Sequence, residues 1–441
     1  MKLLMVLPAG MIHRHKTGIF KKSLRYAPLT LTYLASLIPY DMDIDLTMID
    51  EGIELLNMDE HSPDLVCISI MTGTANRGYE IAGHYRKRGI PVVLGGVHAT
   101  LCPKEASRHA ESVVIGIAER TFPAILEDAG NNNLKDYYVD KKQLDPSKMP
   151  IPRRDLLDKD NYITINSILA TKGCPNNCRF CAVPYAWGKK YYTRPIEKVI
   201  KEIETMHGKE VVFIDVHLLA DREYAVKLLN ALKPLKKLWF GLTTTEAVND
   251  PEIINLLSES GCRGLLIGFE SVMEKSLKSL NKSFNILSRY KSLVRDLHNA
   301  GIRVNGTFLF GTDEDTPDVF DRTVDFVERI KIDLPRYSVF TPYPGTPVFA
   351  QMKREGRIIT YDWDMYDVEH VVFKPRHMSP QQLEAGLHSA WNKTYSFKSI
   401  FKRISGTASL WHLGLMTNLG YRYYAKHLKK YAQFHSGDSN A

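Results

Sequence analysis

The feature that most restricts this chain is an alternation running through nearly all of it. Short apolar, β-branched runs take turns with stretches of helical periodicity. Eleven runs can be marked: Lys2–Leu7, Ile44–Asp50, Pro63–Ile70, Pro91–Gly96 and Val113–Gly116, then Ile163–Ala170, Val211–Asp215, Leu238–Thr243, Gly264–Ser271, Arg303–Phe310 and Arg336–Phe340. Between them the period predicts helices starting at Pro28, ending near Arg88, and spanning Glu119–Asp128, 196–206, 221–233, 251–259, 285–300 and 316–330. Strand–helix alternation leads to parallel sheets. Runs that are apolar throughout fit strands covered on both faces. Such folds collect ligands at the carboxyl ends of their strands, so the residues after each run are the candidates for function. Two loop-rich stretches, Asn131–Asn133 and Asp145–Pro152, separate the first five runs from the last six. The expectation is an α/β chain with a Rossmann-like domain over 1–140, a linker over 141–160, a partial six-unit TIM-type barrel over 161–375 and a helical region over 376–441. The length of 441 residues suits two to three domains.

Chemistry concentrates after the sixth run. Cys174-Pro175-Asn176-Asn177-Cys178-Arg179-Phe180-Cys181 sets three cysteines at spacing C-x3-C-x2-C, with Gly173 in front. Three thiolates on one tight loop suit an iron–sulfur cluster. A structural zinc site would want a fourth Cys or His close by, and the next histidines, His207 and His217, lie 26 and 36 residues past Cys181. Packed free thiols are the third reading. Three ligands leave one iron of a [4Fe-4S] cluster open for a substrate or cofactor. The remaining cysteines, Cys67, Cys102 and Cys262, read as buried thiols rather than a disulfide framework.

The cysteine loop resembles the signature of the radical SAM superfamily, in which three Cys hold a [4Fe-4S] cluster and the open iron chelates S-adenosylmethionine. The first third resembles the cobalamin-binding domain of the B12-dependent branch, through Gly95-Gly96-Val97-His98-Ala99-Thr100 and Gly116-x-x-Glu119-x-Thr121-Phe122. The resemblance covers residues 1–375. It implies a Rossmann-like cobalamin-binding domain followed by a radical SAM barrel, in an enzyme similar to the class B radical SAM methyltransferases. Carried over residue by residue, it puts Cys174, Cys178 and Cys181 on the cluster. It puts Phe180, Asp215, Thr243, Glu270 and Ser271 at S-adenosylmethionine, with Thr244 and Thr245 beside Thr243. At cobalamin it puts Ser69, Thr72, Thr74, Gly95, Gly96, His98, Gly116 and Glu119.

Gly268-Phe269-Glu270-Ser271 matches the G-x-E-S turn after the fourth barrel strand, with a helix N-cap as the other role for Glu270 and Ser271. Tyr343-Pro344-Gly345-Thr346-Pro347 matches the closing turn after the sixth. Three places depart from the pattern. Asp215-Val216-His217 stands where two acids are common, Gly116-Ile117 where Gly-Glu is, and Phe310–Thr316 carries fewer glycines than usual. Asp59-x-His61 has Asp64 where the cobalt-ligating D-x-H-x-x-G motif has Gly, and it precedes the third run. No histidine is therefore expected on cobalt, His98 included. His217 reads as a surface residue or, facing inward, as a substrate contact.

The reaction implied is methyl transfer to an unactivated carbon of a small-molecule or lipid-like intermediate. A 5′-deoxyadenosyl radical starts it, methylcobalamin feeds it, and an external reductant of flavodoxin or ferredoxin type supplies electrons. The alternatives are a cyclase, rearrangement or oxidation enzyme with the same cofactors, and a non-catalytic cobalamin- or metal-binding sensor.

Charge bears on partners. Residues 391–441 hold eight Lys/Arg and one acid, so they carry +7 of the net +8 and leave the body nearly neutral. No nucleic-acid-binding face is expected. Ile404–Tyr421 has no charged residue but includes Gly406, Thr407, Ser409 and Asn418, too polar to span a bilayer. Flanked by Lys402-Arg403 and Arg422, it suits either a membrane surface or a helical lid on the barrel. The start, MKLLMVLPAG, reads as a strand rather than a signal peptide. The expected compartment is cytoplasmic, with peripheral membrane contact through the tail left open.

Overall fold

The computed structural model describes residues 1–10, 26–140, 144–407 and 409–432, with side chains through Leu428. Asp438 of the charge count lies outside the described residues. Two parallel six-stranded sheets carry the fold. The first is built from β1 (Lys2–Leu7), β2 (Asp45–Asp50), β3 (Leu65–Ser69), β4 (Val92–Gly95), β5 (Ser112–Ile115) and β6 (Tyr137–Val139), in the order β2-β1-β3-β4-β5-β6. Leu3 sits opposite Leu65, and Val66 opposite Val92, so the apolar runs meet in register. The edge strand β6 was not expected. It is three residues between Asp136 and Asp140, too short to show a period. It is held because Tyr138 is buried and its hydroxyl donates to Asp128 at 2.6 Å.

The second sheet opens with β7 (Ser167–Ile168). A hairpin follows, β8 (Thr171–Lys172) paired antiparallel with β9 (Tyr192–Thr193), and the cysteine loop springs from it. Then come β10 (Glu210–Phe213), β11 (Leu238–Thr243), β12 (Cys262–Glu270), β13 (Arg303–Phe310) and β14 (Leu334–Val339), each beside its predecessor, so the sheet runs β7-β10-β11-β12-β13-β14. This is the open six-unit barrel the alternation implied. The first barrel strand is shorter than its apolar run for two reasons. Thr164 turns away to bridge Tyr26, and Ala170–Thr171 bend around the buried Asp215.

The strands are covered on one face and line the barrel with the other. Leu265, Ile267 and Phe269 of β12 are fully buried, while Leu266 and Gly268 keep partial exposure. Helix Val319–Ile330 turns Val319, Phe320, Thr323, Val324, Val327 and Ile330 inward at helical spacing. Phe269 stacks on Phe308 at 5.6 Å and Phe310 on Tyr337 at 5.4 Å between strands and helices. Each such side chain contributes about 1.5–3 kcal/mol by leaving water.

The C-terminal helices Pro380–Thr394, Phe397–Ile404 and Trp411–Ala432 close the open edge at β14. Ser379 caps the first of them in a reciprocal pair with Gln382. Trp391 donates to the Tyr337 carbonyl at 3.2 Å and Tyr395 to that of Pro335 at 2.7 Å. The buried Arg403 donates to the carbonyls of Ile332, Asp333 and Thr394. Leu383, near the start of the first helix, packs against Gly311 just past the carboxyl end of β13, and Ile332 and Asp333 precede β14, so the tail runs from the carboxyl towards the amino end of the strands. Of the two sequence readings the helical packing on the barrel is present, but it seals an edge instead of covering the mouth. The cause is the unpaired edge that six strands leave.

The carboxyl ends of the two sheets face each other. The helix Val97–Leu101, after β4, touches the helix Val183–Ala186, after Cys181. Leu101 packs against Gly345 beyond β14. Asn76 donates to Asp362 at 2.8 Å, and Trp363 to Glu105 at 2.6 Å.

Candidate active site at the meeting of two strand-end surfaces

The base of the cysteine loop is made by backbone. Asp215, fully buried after β10, accepts from the Ala170 amide at 3.0 Å, from the Thr171 amide, and from the Thr171 hydroxyl at 2.6 Å. Its carboxylate therefore fixes the bend from which the loop departs, and burial pushes its pKa up to about 6. Gly173 has φ +87°, and a Cβ there would lie 2.1 Å from the Lys190 carbonyl oxygen, so only glycine fits. The far side of the loop is pinned to the segment after β12. The Arg179 amide donates to the Leu280 carbonyl at 3.2 Å, and Asn281 to that of Asn177 at 2.8 Å. Arg179 also reaches Gln351 at 2.7 Å, and Phe180 meets Phe340 edge-on at 6.1 Å.

Cys178 is buried and Cys174 and Cys181 half-buried, all as free thiols. Burial pushes all three pKa values up, that of Cys178 to about 11, and Lys282 opposes the rise at each. Three soft donors on a braced loop beside a cation fit a thiolate-ligated cluster, whose binding must displace the protons.

Glu270 ends β12 with φ +63°, at a shift in the ladder with β13, and its Oε1 accepts from Lys282. The pair is 9% and 7% exposed. Among the described residues Glu270 thus serves Lys282 and caps no helix, and Ser271 accepts from the Met273 amide at 3.1 Å. Asn285 braces the same turn, donating to the carbonyls of Gly268 and Phe269 and accepting from Thr245. Lys282 was missed in the sequence, where a lysine in Asn281-Lys282-Ser283 reads as solvated.

His217 is not a surface residue. It is 4% exposed, its Nε2 lies 3.3 Å from the Thr244 hydroxyl, and burial and Lys282 lower its pKa to about 4. The ring is neutral at physiological pH. The His217 Nδ1 and the Thr243 hydroxyl are buried with no partner among the described residues. Buried polar atoms left open in this way suit a polar ligand such as S-adenosylmethionine.

On the opposing domain, Ser69 ends β3 and a tight turn, Thr72–Thr74, follows, with the Thr74 hydroxyl accepting from the Met71 amide at 3.0 Å. Gly96, after Gly95, has φ +94°, and a Cβ there would sit 2.6 Å from the Ile70 carbonyl oxygen. Gly116 also has positive φ, and the space beside it is open. His98 is fully buried, with Nδ1 3.3 Å from the Thr72 hydroxyl and Nε2 3.4 Å from Glu105. Cys102 completes a set of donor atoms within 4.8 Å of one another. Glu105 Oε1 is already occupied by Trp363 and by Tyr79 at 3.2 Å, so the set serves the joint between domains.

Glu119 reaches furthest across. It accepts from Lys172, two residues before Cys174, and from the Tyr33 hydroxyl at 3.2 Å. The structure thus gathers the strand-end loops after β3, β4 and β5 over the cysteine loop and the turn after β12.

Comparison with known proteins agrees with this arrangement. The B12 binding domain model matches residues 27–126 and the radical SAM superfamily model residues 168–327. The bacteriochlorophyllide d C-12(1)-methyltransferase of Chlorobaculum tepidum is 32% identical, over 87% of this chain and 86% of its own length. The bacteriochlorophyllide d C-8(2)-methyltransferase of the same organism is 31% identical, over 85% and 87%. Among solved structures, the radical S-adenosylmethionine methyltransferase TsrM from Kitasatospora setae superposes with a TM-score of 0.68 at 17% identity. The match covers 97% of this chain and 99% of that one, a likeness of fold. With both domains matched and relatives aligned along nearly their full length, the chain belongs to the cobalamin-dependent methyltransferases of the radical SAM superfamily.

Proposed function

We propose that this methyltransferase acts on a tetrapyrrole-type intermediate, and that its three cofactors share the chamber between the facing strand ends. The enzyme class itself follows from the family: methylation of an unactivated carbon of a small molecule, with a [4Fe-4S] cluster, S-adenosylmethionine and cobalamin. When bound, the cluster and S-adenosylmethionine supply the radical and cobalamin supplies the methyl group. The substrate class rests on the names of the two bacteriochlorophyllide relatives.

The observation that carries the shared chamber is the Glu119–Lys172 contact, which ties a loop of one domain to the residue two before Cys174. The residue roles follow. Cys174, Cys178 and Cys181 hold the cluster, and Lys282 favours their thiolate form. Lys282 also suits the carboxylate of S-adenosylmethionine, and Glu270 its ammonium or a ribose hydroxyl. Thr243 and His217 offer open polar atoms to the same ligand. Ser271 and Phe180 flank it, and Asp215 positions the loop from beneath. Ser69, Thr72, Thr74, Gly95, Gly96 and Gly116 form the cobalamin floor, with His98 holding that floor from below. The chain has one three-cysteine motif, so electrons come from an external donor of flavodoxin or ferredoxin type.

The test is anaerobic turnover of reconstituted protein with methyl-labelled S-adenosylmethionine and a panel of chlorophyllide-type tetrapyrroles. Label in the tetrapyrrole supports the proposal. Deoxyadenosine with an unlabelled, ring-closed or oxidised product would favour the cyclase or oxidation reading. No turnover with any tetrapyrrole would remove the substrate class.

A further inference from the structure

The C-terminal helices carry an outward face that the barrel does not use. Twenty large apolar side chains are exposed among the described residues, and seven of them fall between Phe397 and Tyr423. The other thirteen are spread over the rest of the chain, so this is a concentrated patch, of the kind that marks a contact surface. In helix Phe397–Ile404 the inner face is Ser399, Ile400 and Arg403, and the outer face is Phe397, Lys398, Phe401 and Lys402. In helix Trp411–Ala432 the inner positions Asn418, Tyr424, Ala425 and Leu428 pack on the barrel side. Met416, Leu419, Tyr423 and Lys426 form a stripe facing out at helical spacing, with Met416 68% exposed. The Arg422 guanidinium lies 4.0 Å over the Phe397 ring, so the two outer faces adjoin. Trp411, 59% exposed, begins the second helix.

The two faces combine aromatic and aliphatic tips with Lys398 and Lys426, on a segment that carries nearly all the net charge of the chain; within it Arg403 is turned inward and Lys393 and Lys402 pair with Asp321 and Glu328. A surface made for another protein's core would exclude lysine from its centre. Aromatic and basic residues interleaved on an amphipathic helix match an anionic bilayer, where rings enter the headgroup level and lysines stay with the phosphates. No helix among the described residues is long and apolar enough to cross a membrane, so the contact would lie in the interface plane. We propose that the outward face of helices Phe397–Ile404 and Trp411–Ala432 docks this protein on anionic lipid surfaces. The reading does not depend on which substrate is methylated.

The test uses the full chain with vesicles of phosphatidylcholine alone, or of phosphatidylcholine with about a third phosphatidylglycerol, in a sedimentation assay. Binding should occur on the anionic vesicles, weaken as salt shortens the screening length, and be much weaker on neutral ones. Lys398→Glu with Lys426→Glu should lower the partition coefficient at least about tenfold, each lysine near the surface contributing about fivefold. Phe401→Ser with Met416→Ser should lower it comparably and keep the thermal transition, since both side chains are solvent-exposed. The proposal is overturned if neither vesicle binds. It is equally overturned if light scattering shows a concentration-dependent dimer that the Phe401→Ser, Met416→Ser variant abolishes, because a second copy would then be the occupant.

Discussion

Removing the charge from either side of the Glu119–Lys172 contact probes how the two domains are held. The pair is 10% and 17% exposed, and its Glu119 member also accepts from Tyr33. Exposed ion pairs contribute about 0–1 kcal/mol, and breaking a fully buried one costs about 3–5 kcal/mol. A pair of this burial with one spare donor should lie between, with a coupling of about 2 kcal/mol in a cycle of Glu119→Gln, Lys172→Met and the double variant. Guanidinium unfolding of the four apo proteins measures it. The functional consequence is more specific. Lys172 is two residues from Cys174, but the three thiols and the Glu270–Lys282 turn are braced by other contacts, so radical formation should survive. Methyl transfer needs the opposing loops in register, and a displacement near 1 Å can cost about a hundredfold. Either single variant should therefore keep deoxyadenosine formation while losing methylated product. A coupling below about 0.5 kcal/mol, or equal losses of both outputs, would mean that this contact does not hold the opposing loops in register.

Three other predictions follow from the same geometry. Lys282→Met strands the buried Glu270 carboxylate and should destabilise the apo protein by about 3–5 kcal/mol. Gln in place of Glu270 in the same background should recover part of that loss, as read by unfolding midpoints. His217 has a folded pKa of about 4 against an unfolded value of about 6.5. The unfolded chain thus binds the extra proton, and the stability present above the unfolded value is lost as pH falls, by about 2 kcal/mol at pH 5. His217→Gln should flatten that component of a stability–pH series. Gly173→Ala places a methyl against the Lys190 carbonyl in a left-handed residue and should sharply lower iron bound per chain after reconstitution, a loss that Gly116→Ala, with open space around it, should not show.

Much of the fold could be read from residues because the determinants are local. An apolar run such as Leu265–Ile267 is a strand wherever it pairs, and Val319–Ile330 is amphipathic whatever covers it. The cysteine motif is legible for the same reason: its three donors lie within eight residues. What escaped depends on long-range geometry. Lys282 looks like any solvated lysine until the fold pairs it with Glu270, 12 residues back. Asp215 reads in the sequence as a cofactor contact, and nothing there shows that its carboxylate also engages Ala170 and Thr171, 44 to 45 residues back. Glu119 and Lys172 are 53 residues apart and in different domains. The hairpin of β8 and β9 has two residues per strand, below any period. The tail was legible as helix but not in direction, because nothing in its own residues says that Ile332 and Asp333 would receive Arg403.

If radical generation at the cysteine loop and methyl delivery from the facing domain serve one reaction, a single turnover with methyl-deuterated S-adenosylmethionine, reduced cluster and cobalamin should give deuterated methyl product together with deoxyadenosine. Both should be abolished by Cys178→Ala, and only the methyl product when cobalamin is withheld. Methyl transfer that persists in Cys178→Ala, or that proceeds undiminished without cobalamin, would contradict a single shared reaction.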